Sequence, residues 1–296
     1  MEIFQLMENT VISLLAGIGG MVGWGIYDFF AGVYSKKIGP SQTFFWSQLS
    51  GLFCTLAFFL LLSGTVHLTG LVCLYLVVAA LLYIGGYLFF MRGFELGNIS
   101  IIAAIMNVWA VFTMLFAYLF MGQRLSSIQF IGVCMIISGA MLASLNWKEV
   151  LDGGKFQLSK GVKEAVVGAF LFGLFWNVSE VVTERIGWLA TTMYVKVLII
   201  CLFVLLSLLT KQKIGRLHAS GRTKGMIVFI GIVEAGAVGI VNYGLTVGDA
   251  ILITPIASAL SIVTIVMAIV LLKERVSWPQ AAGMLIAVSG IIITGL

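Results

Sequence analysis

The sequence predicts an all-α membrane protein of ten transmembrane helices, arranged as two inverted five-helix repeats. Three observations predict it: an apolar composition, an internal duplication, and basic residues crowded onto alternate connections. Of 296 residues, 61% are hydrophobic and 10% are charged, too little charge to cover the surface of a soluble chain of this length. Apolar runs of about 20 residues suffice to cross a hydrocarbon core of roughly 30 Å as helices. Transmembrane strands would be shorter and would alternate in polarity.

The duplication pairs the stretch from Gly93 to Gly139 with the stretch from Gly244 to Gly290, without a gap. Shared positions include Gly93/Gly244, Gly97/Gly248, Thr113/Thr264, Arg124/Arg275, Ser126/Ser277, Gly132/Gly283 and Gly139/Gly290. Taken in order, the helices fall at about 11–34, 42–63, 70–92, 98–121, 127–145, 162–184, 188–210, 224–246, 250–272 and 278–296. Residues 1–145 form the first repeat, 146–161 a central loop, and 162–296 the second repeat. An odd number of crossings per repeat turns the second half upside down relative to the first, an architecture that recurs in secondary transporters.

Orientation follows from Lys and Arg. The connections after the odd-numbered helices carry Lys36, Lys37, Arg92, Lys163, Lys224, Arg275 and others, whereas the opposite side carries only Arg124 and Arg185. The positive-inside rule then places both termini outside a cell membrane, with the basic face toward anionic headgroups. Bases scattered over membrane-edge loops make no nucleic-acid surface. Glu2 and Glu8 with no basic residue leave the N-terminus without the positive region of a cleaved signal peptide, so the first helix is expected to stay.

Small residues and Pro255 shape the helices. Gly19 and Gly23 on the first, and Gly231, Ala235 and Gly239 on the eighth, recur every four residues and allow close backbone approach. Pro255 removes a backbone donor and frees the carbonyl of Ile251 inside the ninth helix. Cys54, Cys73, Cys134 and Cys201 lie in or beside apolar runs with no CxxC spacing, which reads as helix packing rather than a disulfide or metal site.

Charges inside spans are costly, so each is a candidate site residue. Asp28 follows Trp24 by four residues on the first helix, and Glu180 follows Trp176 by four at the matching place in the second repeat. Lys196 and Glu234 lie deep in the seventh and eighth helices, either as a structural ion pair or as the lining of a polar cavity. Asn242 shares nearly the face of Glu234, Asn107 aligns with Ser258, and Ala103, Thr254 and Ser261 extend those stripes. Tyr83, Tyr87, Trp109 and Tyr243 are candidates to wall the same space, or to serve as packing and interface residues. The expected site is therefore Trp24, Asn107, Trp176, Asn242 and Ser258 for substrate, with Asp28, Glu180, Lys196 and Glu234 as coupling or buried charges.

The whole-chain duplication, the Gly23-Trp24 pair with its weaker echo Phe175-Trp176, and LKERVSWPQAAGMLIAVSGIII from Leu272 together resemble the EamA-like branch of the drug/metabolite transporter superfamily. The first repeat departs from the motif, with Gln123 where the second has Glu274. The resemblance implies an alternating-access carrier with its path between helices 1–4 and 6–9, and helices 5 and 10 packed peripherally. It leaves the cargo open.

The expected function is export of a small polar, amino-acid-like metabolite, because central groups of both signs suit a zwitterion. Uptake or exchange of a sugar or anionic metabolite is the alternative within transport, and a non-transporting structural or receptor protein is the alternative outside it. An enzyme is not expected: His67 and His218 are in loops, and no nucleophile–base set is visible. The expected partners are a small-molecule substrate and the lipid bilayer, with no nucleic acid, metal or cofactor.

Overall fold

The computed structural model describes residues 2–62, 64–96, 102, 105–145, 161–210, 219–273 and 275–295. Residues 146–160 of the expected central loop, together with Ala103 and Glu274, lie outside the described residues. The described residues form eleven helices and no strand: α1 (Glu2–Ile38), α2 (Pro40–Leu62), α3 (Gly70–Leu96), α4 (Trp109–Phe120), α5 (Ser127–Ser144), α6 (Val162–Ile186), α7 (Trp188–Thr210), α8 (Gly221–Gly244), α9 (Ala250–Ser258), α10 (Leu260–Leu272) and α11 (Trp278–Thr294). With α9 and α10 read as one span, 8 are long and apolar enough to cross a membrane, and Trp109–Phe120 and Trp278–Thr294 are shorter apolar helices. Helices are the natural outcome, because a backbone in hydrocarbon must satisfy its own polar groups.

Boundaries have local causes. A single glycine separates α1 from α2 and α6 from α7; Gly39 and Gly187 have φ of +89° and +82°, positive values that glycine adopts without a Cβ clash and that stop one helix and let the next start at once. The serine shared by the two repeat turns caps α5 and α11. Ser126 Oγ accepts from the Gln129 N–H at 3.2 Å, and Gln129 Oε1 accepts from the Ser126 N–H at 3.0 Å. Gln280 Oε1 likewise accepts from the Ser277 N–H at 3.0 Å.

Two helices are interrupted at aligned positions. The Ala259 N–H donates to the Ile256 carbonyl and the Ile262 N–H to that of Ala259, so the chain tightens between α9 and α10 just after Pro255. The same pair of bonds recurs without a proline: Val108 N–H to Ile105 and Val111 N–H to Val108, immediately before α4. The tightening follows Pro255, and a matching break at Asn107–Val108 accompanies it.

Glycines bring the helices together. α5 crosses α11 backbone to backbone. A Cβ on Gly139 would lie 2.6 Å from the Gly283 oxygen, and one on Gly132 would lie 2.8 Å from the Gly290 oxygen. The order of contacts is reversed along the partner, so the two helices run antiparallel. Gly23 meets Ala237 and Gly19 meets Ile240 where α1 runs against α8, and Gly231 meets Ser47 and Ser50 of α2. The main core fills the space between α1, α3, α4, α6, α7, α8 and α9, with Trp109, Phe175, Trp176 and Val241 among its members. The α5–α11 pair packs one side against Ile256, Ala259 and Ile262, while Phe130, Ile131, Leu285 and Ile292 stay exposed on the other. The four cysteines are unbonded, and Cys73, Cys134 and Cys201 are exposed rather than packed inside.

Candidate functional site

Three tryptophans meet where the interrupted helix before α4 faces α1 and α6. The ring centroids of Trp24 and Trp176, from equivalent positions of the two repeats, are 5.3 Å apart. Trp109, the first residue after the Asn107–Val108 turn, lies 6.3 Å from Trp24 and 6.1 Å from Trp176. The break therefore sets an aromatic side chain against its two counterparts. Such a cluster offers apolar surface and a negative ring face to an organic cation or ammonium.

The charged centre is an ion pair between the Lys196 ammonium of α7 and the Glu234 carboxylate of α8. Both residues are 2% exposed. The ammonium also donates to Gln48 Oε1 of α2 at 2.9 Å, so the centre draws on both halves of the chain. Gln48 Nε2 is buried with no acceptor. Beside it, Tyr27 and Ser47 hydroxyls stand 3.5 Å apart, and Tyr83, Tyr87 and Asp28 lie within electrostatic reach of the same groups. Satisfying two buried charges requires mutual pairing plus further hydrogen bonds, and Gln48 supplies one.

Asn242 belongs to a second network. It donates to Thr192 Oγ1 at 2.9 Å and accepts from Ser179 Oγ at 3.1 Å, tying α6, α7 and α8 together. A third network joins the repeats. Gln123, in the connection from α4 to α5, donates to Glu180 Oε1 of α6 at 2.8 Å. The Ala250 N–H donates to the same oxygen at 3.3 Å, and the Ile251 N–H donates to Gln123 Oε1 at 3.1 Å. Two side chains from outside α9 thereby satisfy its first free N–H groups, which its own Asp249 does not cap. Burial pushes the Asp249 carboxyl above the ordinary aspartate range.

The expected site residues are thus distributed over several places. Trp24 and Trp176 are together, as are Lys196 and Glu234. Asn107 is turned aside, donating to Ser144 Oγ of α5 at 2.9 Å. Ser258 bonds to its own Pro255 carbonyl at 2.7 Å. Asp28 and Glu180, aligned in sequence, differ in setting: Asp28 is exposed on the face of Trp24, whereas Glu180 is 1% exposed. Tyr243 is an exposed rim residue, its ring 6.0 Å from that of Trp188. Sequence reasoning missed Gln48, Ser179 and Thr192, and read Gln123 only as a missing acid.

The fold and its buried polar centres define a multi-pass membrane protein. The family model described as the EamA-like transporter family matches residues 11–145 and 159–296, and the chain belongs to that family. The match falls on two segments, one in each half of the chain. A solved structure described as "Crystal structure of protein" has a TM-score of 0.76 at 16% identity and covers 95% of each chain, a likeness of fold alone. No curated protein matches the chain.

Proposed function

We propose that this protein is a secondary carrier in the cell membrane that exports a small zwitterionic, amino-acid-like metabolite by alternating access. Ten crossings, two of them interrupted, form two inverted repeats, 1–145 and 162–296, joined by the loop 146–161, with both termini outside. The antiparallel crossing of Gly132 and Gly139 with Gly290 and Gly283 supports the inversion, because equivalent helices meet across a pseudo-two-fold axis.

The observation that carries the reading is the Lys196–Glu234 pair with Gln48, ionised groups of opposite sign held deep in the spans and reached from both halves. A zwitterion can exchange partners with it, carboxylate to Lys196 and ammonium to Glu234, without leaving a buried charge alone. Trp24 and Trp176 form the apolar wall, Asn107 and Ser258 stand at the helix breaks, and Asn242 holds α6–α8 in register beside the path. Asp28 lies beside the tyrosines that face the pair, and Glu180 lies where Gln123 meets the start of α9. Unwound backbone near the midplane is where carriers of inverted-repeat design bind their cargo.

The experiment is a thermal-stabilisation screen of metabolites on purified protein, followed by counterflow of the stabilising compound in liposomes. Stabilisation and counterflow by a zwitterionic amino acid is the expected result. Stabilisation by dianionic sugar phosphates and not by zwitterions would overturn the substrate class.

A further inference from the structure

Glu180 is the one carboxylate among the described residues that is both fully buried and without a cation. Lys196 and Glu234 are paired with each other. Glu180 Oε1 accepts from Gln123 and from the Ala250 N–H, but Oε2 is buried with no partner, and so is Thr183 Oγ1 one turn further along α6. The charged groups nearby offer no compensation. Asp249, before α9, and Glu184, on α6, are acids and act repulsively on Glu180. Arg124, after α4, lies over the Tyr118 ring at 4.0 Å and donates to the Tyr118 and Gln123 carbonyls. Arg185 of α6 covers the Tyr75 ring of α3 at 5.0 Å, and Lys196 of α7 is held by Glu234 of α8.

A bare carboxylate oxygen enclosed this way bears the burial penalty of an ion with no cation to offset it. A neutral acid bears much less of that cost, and its Oε1 keeps both N–H bonds as a carbonyl. We propose that Glu180 is a proton-binding site, and that binding a proton latches the two repeats at this end through Gln123 and the N-terminus of α9. Opening wets the carboxyl and releases the proton to the medium; closing takes it up again. The identity of Gln123 follows from the same geometry. An amide donates to Glu180 and accepts from Ile251 at once, whereas the Glu found at the aligned position 274 would set two carboxylates against each other.

This inference rests on the transport reading only in taking this end to open, and its test reads conformation rather than cargo. Spin labels on cysteines introduced at Ser127 and Thr246, both exposed, with the four native cysteines replaced, report the distance across the latch in nanodiscs. Between about pH 5 and 8 the closed-to-open ratio should fall as pH rises, by at most about tenfold per pH unit for one proton. Glu180→Gln copies the neutral acid and should hold the short distance at both ends of that range. Glu180→Ala should lose it at both. A wild-type distribution indifferent to pH, a Glu180→Gln variant that still follows pH, or a distribution that follows sodium at fixed pH would each overturn the assignment.

Discussion

The Lys196 ammonium and the Glu234 carboxylate, on neighbouring helices of the second half, form a buried ion pair that Gln48 of the first half completes. Either charge alone would be stranded in the spans. Glu234→Gln and Lys196→Met should therefore each lower stability by about 3–5 kcal/mol, the cost of leaving one buried charge unpaired. The double replacement Lys196→Met with Glu234→Leu should recover most of that loss. Melting curves of the three variants check this, and a double variant as unstable as the singles would contradict it.

Close approach of α5 and α11 depends on glycine. Gly139→Leu puts a side chain where a Cβ alone would lie 2.6 Å from the Gly283 oxygen, so melting should show a loss of at least about 1–3 kcal/mol. Gly32, with nothing within 4 Å of a built Cβ, should accept Ala with little change.

The tryptophan wall makes a separable prediction. Trp24→Phe keeps an apolar ring but loses the indole that meets Trp109 and Trp176. Affinity for the stabilising metabolite should fall about tenfold, roughly 1.4 kcal/mol, in a binding titration. Trp278→Phe, at a residue 90% exposed, should leave the affinity unchanged.

Topology is tested without cargo. Tags on both termini should react with an impermeant reagent on intact cells, and a tag beside Lys155 should not. The reverse pattern would invert the charge argument.

What the sequence reveals depends on how much each feature costs. Lys196 and Glu234 stand out because an ionised group in an apolar run is expensive wherever its partner lies. Gln48, which completes their site, is a neutral amide in a helix that also holds Ser41, Ser47 and Ser50, and nothing local marks it. Its bond spans 148 positions, which no helical period encodes. Pro255 announces the break before α10, but Ala104 occupies the aligned place in the first repeat, so the turn at Asn107–Val108 carries no residue signal of its own. Transferring the proline's consequence across the duplication would have found it. The same transfer misleads at Gln123, where the missing acid proves to be an amide engaged with Glu180 across the repeats.

The central claim is that the buried pair carries the cargo. It is tested most directly by counterflow of the stabilising zwitterion into liposomes holding equal amounts of folded wild type and of the Lys196→Met, Glu234→Leu double variant, which is expected to recover most of the wild-type stability. Exchange is expected from the wild type, and none above protein-free liposomes from the double variant. Exchange by the double variant at the wild-type rate would contradict it.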